Sequence, residues 1–278
     1  MKCIYHSNDL DGECSGAIVK HFLPTCEMIP YKYGDIINWD IFIDKNETVY
    51  MCDVSFQPFS DMVKLSEKCR LIWIDHHISA IEQADRTPEF ICYNRLTRVD
   101  YSGCELTYRY FDEEYLPEFV RLLGRYDVWD HSDPRTIPFQ YGMRCYDTNP
   151  TGAIWEQLFQ QELGLLTEMI SNAGKDIVKY VWRENKKFTD TLAFPTGFEG
   201  YKVIAVNKLS CSSQFFDGIP DINSFDIMMP FGYNGQNKLW TYSMYTTKDI
   251  DVSVIARKYG GGGHAKASGF QSKNQILF

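Results

Sequence analysis

Short apolar runs alternate with helix-like segments through the first part of the chain, and that rhythm limits the possible folds more than any other feature. KCIY (2–5) gives way to a helical pattern near 12–23, and TVYMC (48–52) to one near 58–68. LIWI (71–74) precedes a short helical run after 78, and FICY (90–93) precedes another near 102–111. Strand, helix and strand in series predict a parallel sheet covered on both faces, an α/β architecture. Further helices are expected near 116–130 and 152–186, the second ending in the charged stretch RENKKF. The character then changes. TLAF (191–194), KVIAVN (202–207), FDIMMPF (225–231) and LWTYSMYT (239–246) read as strands, and a short helical DVSVIARKY enters GGGGHAKASGF. The charged helix end is the expected hinge between a first domain over residues 1–188 and a smaller α+β domain over 189–278.

The ends of the apolar runs carry the chemistry. KCIY stops at His6, TVYMC stops at Asp53, and LIWI stops at Asp75-His76-His77. In open α/β sheets the ligand crevice lies outside the carboxyl ends of the strands, so these groups can converge there. Asp9 and Asp11 follow His6 in the loop HSNDLDG, where Gly12 permits a tight turn into the next helix. Carboxylates gathered within a few ångströms do not all stay ionised without a cation. Carboxylates mixed with imidazoles, and no thiolate, suit Mn²⁺ or Mg²⁺ better than structural zinc. The ligands suffice for two ions sharing one carboxylate, about 3.5–4 Å apart, a spacing suited to phosphoryl chemistry. Taken singly, Asp9 or Asp53 would read as a turn residue or helix N-cap. Adjacent histidines in a regular strand would point to opposite faces, so a shared role places His76 and His77 in the loop. The joint occurrence at three strand ends favours the metal reading.

HSNDLDG, MCDVSF and IDHHIS, in that order, resemble the first three motifs of the DHH phosphoesterase family, and GGGGHAKASGF resembles the glycine-rich signature of the DHH-associated domain. The resemblance spans both halves of the chain. It implies a parallel-sheet DHH domain, a substrate-binding DHH-associated domain and an active site in the cleft between them. It implies that His6, Asp9 and Asp53 hold one ion, and that Asp11, Asp53 and His76 hold the other, with Asp53 shared. The fourth motif would supply Asp127 from LLGRYDVWDH, with Asp130 as the competing choice. Asp75 would orient a ligand from behind, as metal sites require. His77 would face the substrate phosphate and assist proton transfer or charge stabilisation. The His6–Asp9 spacing is one residue shorter than in many members of that family.

Four consecutive glycines, Gly260, Gly261, Gly262 and Gly263, let backbone amides approach an anion without Cβ obstruction, and His264 and Lys266 add donors and charge. The resemblance implies that this loop grips the substrate end opposite the scissile phosphate. Where many nucleotide-cleaving relatives carry an arginine in the preceding strand, this chain has Tyr245, which could stack on a base or simply pack. Ser102 reads as a helix N-cap, Arg95 and Arg98 as surface arginines, His131 as a turn residue, and Cys52 and Cys104 as core.

Composition narrows the partners. The 278 residues carry a formal charge of −9 and a sequence pI of about 5.2, unlike a protein that coats long nucleic acid. Duplex DNA would be repelled unless its phosphates were held locally. Nine cysteines in no C-x-x-C pair fit a reducing cytoplasm better than secretion. No leader-like segment and no run of about 20 apolar residues is present, so a soluble cytoplasmic protein without membrane contact is expected.

The resemblance therefore implies a hydrolase that cleaves phosphodiester or phosphomonoester bonds of small nucleotides by two-metal activation of water. Short oligoribonucleotides, cyclic dinucleotides and 3′-phosphoadenosine phosphate are the candidate substrates; Mn²⁺, or alternatively Mg²⁺, is the expected pair of ions. Short single-stranded RNA or DNA would be the partner, and the oligomeric state is open, a homodimer included. Alternatives are an inorganic pyrophosphate or polyphosphate hydrolase, which the glycine-rich tail disfavours, and a non-catalytic nucleotide sensor, which the intact ligand set disfavours.

Overall fold

The computed structural model describes residues 1–42 and 44–276. The chain divides into two compact units, Met1–Val178 and Lys179–Phe278. The first unit runs β1 (Lys2–His6), α1 (Leu10–Phe22), β2 (Glu27–Tyr31), β3 (Thr48–Cys52), α2 (Ser60–Lys68), β4 (Arg70–Asp75), α3 (Ile78–Asp85), β5 (Asn94–Thr97) and α4 (Gly103–Phe111). Helices α5 (Glu118–Asp127), α6 (Thr136–Met143), α7 (Ala153–Gln160) and α8 (Leu165–Leu192) follow, and α8 runs through the division between units.

The five strands form one parallel sheet in the order β2-β1-β3-β4-β5. Side chains alternate across it with the period of two that a strand imposes. Ile4, Val49, Met51, Leu71 and Trp73 pack on one face with Phe59, Met62 and Leu65, residues at or within α2. Cys3, Tyr5, Tyr50, Cys52, Ile72 and Ile74 pack on the other with Val19 and Leu106. Burying a side chain such as Trp73 or Ile74 contributes on the order of 2–3 kcal/mol, which is why these runs are almost wholly apolar. A helical cluster built from α1, α4, α5, α6, α7 and the start of α8 adds a further core around Phe119, Phe139 and Trp155. All nine cysteines are free thiols, and six of them, Cys52 and Cys104 included, are buried as small hydrophobes.

Several expectations need correction. FICY is not a strand: Phe90 wedges edge-on between Phe59 and Trp73, while Ile91 and Tyr93 stay exposed, and pairing with β4 begins only at Asn94. Conversely, β2 was not expected, because EMIPY contains a glutamate and a proline. It lies at the sheet edge, where a missing N–H costs nothing on the open side. The single helix expected over 152–186 is two. Leu163 and Gly164 both take positive φ (51° and 72°), and the Gln161 side chain accepts from the Thr167 amide to restart the helix. Helix α6 was also missed.

The second unit is a six-stranded mixed sheet. It contains β6 (Phe194–Phe198), β7 (Tyr201–Asn207), β8 (Ile227–Asn234), β9 (Leu239–Tyr245), helix α9 (Val252–Lys258), β10 (Gly262–Gly263) and β11 (Ala267–Ser272). The sheet order is β10-β11-β9-β8-β7-β6, with only β7 and β8 parallel. TLAF does not open this sheet: Thr191 and Leu192 stay in α8, and pairing starts at Phe194. Val252, Ile255 and Ala256 of α9 pack against Val203, Met229, Tyr242 and Phe270. Among the described residues no helix is long and apolar enough to cross a membrane.

Candidate metal centre

Strands β1, β3 and β4 are adjacent and parallel, so their carboxyl ends open on the same edge of the sheet. His6 is the last residue of β1. The chain turns at once into α1, and the turn is possible only because residue 12 is glycine: a Cβ there would lie 2.1 Å from the His6 carbonyl oxygen. Asp9 caps α1, its Oδ1 accepting from the Gly12 amide at 3.0 Å, while its Oδ2 lies 2.9 Å from His6 Nδ1. The N-cap role and membership of the cluster are both real.

Asp53 follows β3 in the left-handed region at φ 59°, a costly conformation for a residue with a Cβ, and it is 1% exposed. Its carboxylate lies between two imidazoles, with Oδ2 3.6 Å from His6 Nδ1 and Oδ1 3.2 Å from His76 Nε2. Burial works against ionisation of Asp53, but the imidazoles of His6 and His76 outweigh it and hold the carboxyl well below the usual range.

The same His76 Nε2 is 3.2 Å from Asp127 Oδ2 and 3.7 Å from Asp11 Oδ2. Asp127 reaches the cluster from the last turn of α5. Asp11, buried at the start of α1, also accepts from the amides of Gly103 (2.7 Å) and Cys104 (2.9 Å) at the N-terminus of α4. Those two amides fix its position and complement its charge. The Asp11 carboxyl is nevertheless pushed well up by burial and by the carboxylates of Asp53 and Asp127. Asp127 is pushed up to about 7 by loss of water and by the charges of Asp53 and Asp9. Burial lowers the basicity of His6 and His76, but their carboxylate neighbours raise both to about 10.

The DHH triplet divides its labour. Asp75 is fully buried; its Oδ1 accepts from the amides of His76 (2.7 Å) and His77 (3.0 Å) and lies 2.7 Å from His77 Nδ1, and its Oδ2 accepts from Trp73 Nε1 at 3.2 Å. The carboxylate thus shapes the turn and fixes the His77 ring, whose basicity it raises against the effect of burial. His77 Nδ1 remains 4.0 Å from Asp53 Oδ1.

Among the described residues, three groups of side chains could each hold an ion, the ligand atoms within each group all within 4.8 Å of one another: His6–Asp9–Asp53, Asp11–His76–Asp127 and Asp53–His76–His77. The site fits a cation on independent grounds. His6 Nδ1 and Asp53 Oδ1 are buried atoms whose contacts, to Asp9 at 2.9 Å and to His76 at 3.2 Å, lack hydrogen-bond geometry, an arrangement that a cation between these groups would satisfy. The expected ligands His6, Asp9, Asp11, Asp53, His76 and Asp127 are all brought together. Asp130 is not: it caps the Ser132 amide and lies 3.4 Å from Arg125.

Other expected residues lie elsewhere. In the second unit, the amides of Gly260, Gly261 and His264 donate to the Arg257, Ala256 and Ala267 carbonyls respectively, and Gly262 and Gly263 pair with β11. The glycine run is therefore a folded segment whose first two amides are engaged by α9 and whose last two residues pair with β11, not an open nest of four donors. Lys266 reaches the Lys248 carbonyl and lies 3.8 Å from Asp249. Tyr245 donates to the Cys211 carbonyl at 3.2 Å. Arg95 pairs with Asp85 and Arg98 with Asp100. His131 lies against Tyr126 and Trp129. One neighbour of the metal cluster escaped the sequence reading altogether: Tyr33, whose ring centroid is 5.7 Å from that of His6 and 6.4 Å from that of His77. It follows the unexpected strand β2, so no sequence signal placed it at the sheet's carboxyl edge.

Comparison with known proteins agrees with this geometry. The chain is 27% identical to protein R106 of Acanthamoeba polyphaga mimivirus over 96% of its own length, and spans just 66% of that viral protein. It is 23% identical to the oligoribonuclease NrnB of Bacillus subtilis, over 99% of this chain and 74% of the relative. In fold it is similar to the DHH domain of PF0399, a member of a family of ribosomal proteins, with a TM-score of 0.63 at 12% identity, covering 96% of this chain and 81% of the other. The model of the DHH family N-terminal domain matches residues 2–124, the span that contains His6, Asp9, Asp11, Asp53 and the Asp75–His77 triplet. Residues 2–124 are a DHH family N-terminal domain.

Proposed function

We propose that this protein is a metal-dependent phosphoesterase that hydrolyses phosphodiester or phosphomonoester bonds of small nucleotides, with short oligoribonucleotides, cyclic dinucleotides and 3′-phosphoadenosine phosphate as the candidates. The observation that carries the reading is the placement of Asp53. One buried carboxylate lies between His6 and His76, with Asp9 beside the first imidazole and Asp11 and Asp127 near the second. Such an array suits two divalent ions sharing a ligand, and its oxygen and nitrogen donors favour Mn²⁺ or Mg²⁺. When bound, two ions of this kind neutralise charge on phosphoryl oxygens and make water a competent nucleophile near neutral pH.

The chain's own groups supply the rest. Asp53 binds on the shared side, His6 and Asp9 on one flank, and Asp11, His76 and Asp127 on the other. His77, its ring fixed by Asp75, faces the phosphate and either donates a proton to the leaving oxygen or stabilises charge there. We assign residues 1–188 to this chemistry and residues 189–278, a DHH-associated domain with Gly260–Gly263, His264 and Lys266, to substrate binding. The 23% identity to an oligoribonuclease supports the choice of substrate class.

The test is a substrate panel. Purified protein stripped with EDTA and reloaded with Mn²⁺ or Mg²⁺ is incubated with two- to five-nucleotide RNA, cyclic dinucleotides, 3′-phosphoadenosine phosphate and pyrophosphate. Release of mononucleotide or phosphate from one of the nucleotides, dependent on metal and abolished in Asp53→Ala, is the expected result. Turnover of pyrophosphate alone, or undiminished turnover after metal removal, would overturn the proposal.

A further inference from the structure

We infer that Tyr33 is a stacking platform for the base of the bound nucleotide, and so a specificity-determining residue of the site proposed above, on whose nucleotide reading this inference rests. The argument begins with topology. Strand β2 is parallel to β1, Tyr31 pairs with His6, and the Ser7 amide donates to the Tyr31 carbonyl at 2.9 Å. The carboxyl end of β2 therefore opens on the same edge as the strands that carry the metal ligands. Tyr33 stands two residues beyond that end.

The orientation of its side chain is unusual. An exposed tyrosine ordinarily lays its ring on the protein and turns its hydroxyl to water. Here the phenol end lies near Ser55, a fully buried residue, while Tyr33 as a whole keeps 46% of its surface exposed. The polar end is thus turned towards a buried residue, and nearly half of the residue's surface stays open to solvent beside the cluster. Three aromatic neighbours, His6, His77 and Tyr31, lie at centroid distances of 5.7, 6.4 and 6.4 Å, and all meet it edge-on at 60°, 77° and 73°. None of the three lies parallel to it, so these neighbours leave the ring unstacked among the described residues.

A fixed aromatic ring beside a metal centre suits a planar group attached to the phosphate that the centre holds. A nucleobase has that chemistry: it is planar, polarisable and tethered to its phosphate through a sugar. Stacking is tolerant of base identity, so Tyr33 would separate nucleotides from phosphates without a base more strongly than one base from another.

The experiment uses the full chain loaded with Mn²⁺ and titrates two probes by calorimetry: adenosine 5′-monophosphate and ribose 5-phosphate, which differ in the base. Tyr33→Phe and Tyr33→Trp are expected to keep the affinity for the nucleotide. Tyr33→Leu, similar in apolarity but without a π face, is expected to lose about 5- to 150-fold, the range that corresponds to stacking of one base on one aromatic ring. Affinity for ribose 5-phosphate and for Mn²⁺ itself should be the same in all four proteins. Undiminished nucleotide binding in Tyr33→Leu, or an equal loss for both probes, would overturn the stacking role while leaving the metal site's function intact. Failure of wild-type protein to bind either probe in the presence of Mn²⁺ would remove the nucleotide reading and this inference with it.

Discussion

Gly103 sits so close to Asp53 that a Cβ on the glycine would lie 2.5 Å from the Asp53 Cβ and 2.6 Å from its Oδ1. The N-terminus of α4 therefore closes over the Asp53 carboxylate, and its first two residues, Gly103 and Cys104, donate their amides to Asp11. Helix α4 thus helps to position two of the candidate ligands without contributing a side chain.

Gly103→Ala should consequently act on the metal site rather than only on the fold. Overpacking of a tight interior contact costs about 1–3 kcal/mol, and here relief requires Asp53 or the helix to move. The expected outcome is a lower melting temperature in EDTA together with weaker Mn²⁺ binding, read by calorimetry. Normal Mn²⁺ affinity in a folded Gly103→Ala protein would show that the contact does not constrain the ligands.

The charges of the cluster make a signed prediction about pH. In the metal-free chain, Asp127 is raised from 3.8 to about 7, and His6 and His76 are raised from 6.5 to about 10. Groups with a raised folded-state pKa stabilise most below their unfolded values and lose that contribution as pH rises through the folded ones. Metal-free protein should therefore lose stability as pH climbs from about 4 to 7 through Asp127, and from 6.5 towards 10 through the histidines. Metal binding displaces those protons, so the increase in melting temperature on adding Mn²⁺ should grow over the same upper range. An increase independent of pH would mean that the ion binds elsewhere.

Asp127 and Asp130 separate cleanly by mutation. Asp127→Asn should flatten the acid part of that stability profile, raise metal-free stability by removing a like charge, and weaken Mn²⁺ binding. Asp130→Asn should leave Mn²⁺ affinity unchanged, because Asp130 faces Ser132 and Arg125 instead. Isothermal titration of both variants beside wild type decides the matter, and equal losses would remove Asp127 from the site.

Asp75→Asn tests the support of His77. The carboxylate raises His77's basicity, so asparagine should lower it, and the His77 ring resonances should titrate at lower pH in an NMR experiment on the metal-free protein. Replacing a group that orients a metal-site residue typically costs about 10- to 100-fold in activity. The two readouts should move together. An unchanged His77 titration would break the link between the pair.

Much of this site is legible in the sequence because burial and polarity collide there. His6, Asp53 and Asp75–His77 each interrupt an apolar run at the point where a parallel strand must surface, and no hydrophobic pattern explains them. Asp9 and Asp11 follow from the loop that leaves β1. The limits are equally physical. Asp127 and Asp130 are three residues apart at a helix end, and only the path of the chain after α5 turns one inward and the other towards Arg125. Tyr33 was invisible because β2 tolerates Glu27 and Pro30 at a sheet edge, where strand patterning is weakest. FICY misled in the opposite sense: Phe90 is buried by tertiary contacts with Phe59 and Trp73, not by membership of a strand. The glycine run suggests an open nest, but glycine content cannot reveal that its first two amides already bond to α9 carbonyls and that its last two residues pair with β11.

That run offers a final prediction, because its glycines are not equivalent. A Cβ at position 261 would lie 2.1 Å from the Gly269 carbonyl oxygen, whereas one at 262 would meet nothing within 4 Å, and residue 262 has no positive φ. Gly261→Ala should therefore disrupt the β10–β11 pairing, costing about 1–3 kcal/mol of stability as a backbone clash does. Gly262→Ala should leave the melting temperature essentially unchanged, since the added methyl projects into open space. If the exposed side of this hairpin contacts the substrate, that methyl stands where the ligand must approach. Gly262→Ala should then raise KM for the nucleotide that the panel identifies, with kcat and Mn²⁺ affinity retained. Unaltered KM in a variant of normal stability would take Gly262 out of the substrate-binding surface and leave the glycines with a purely structural role in closing the hairpin.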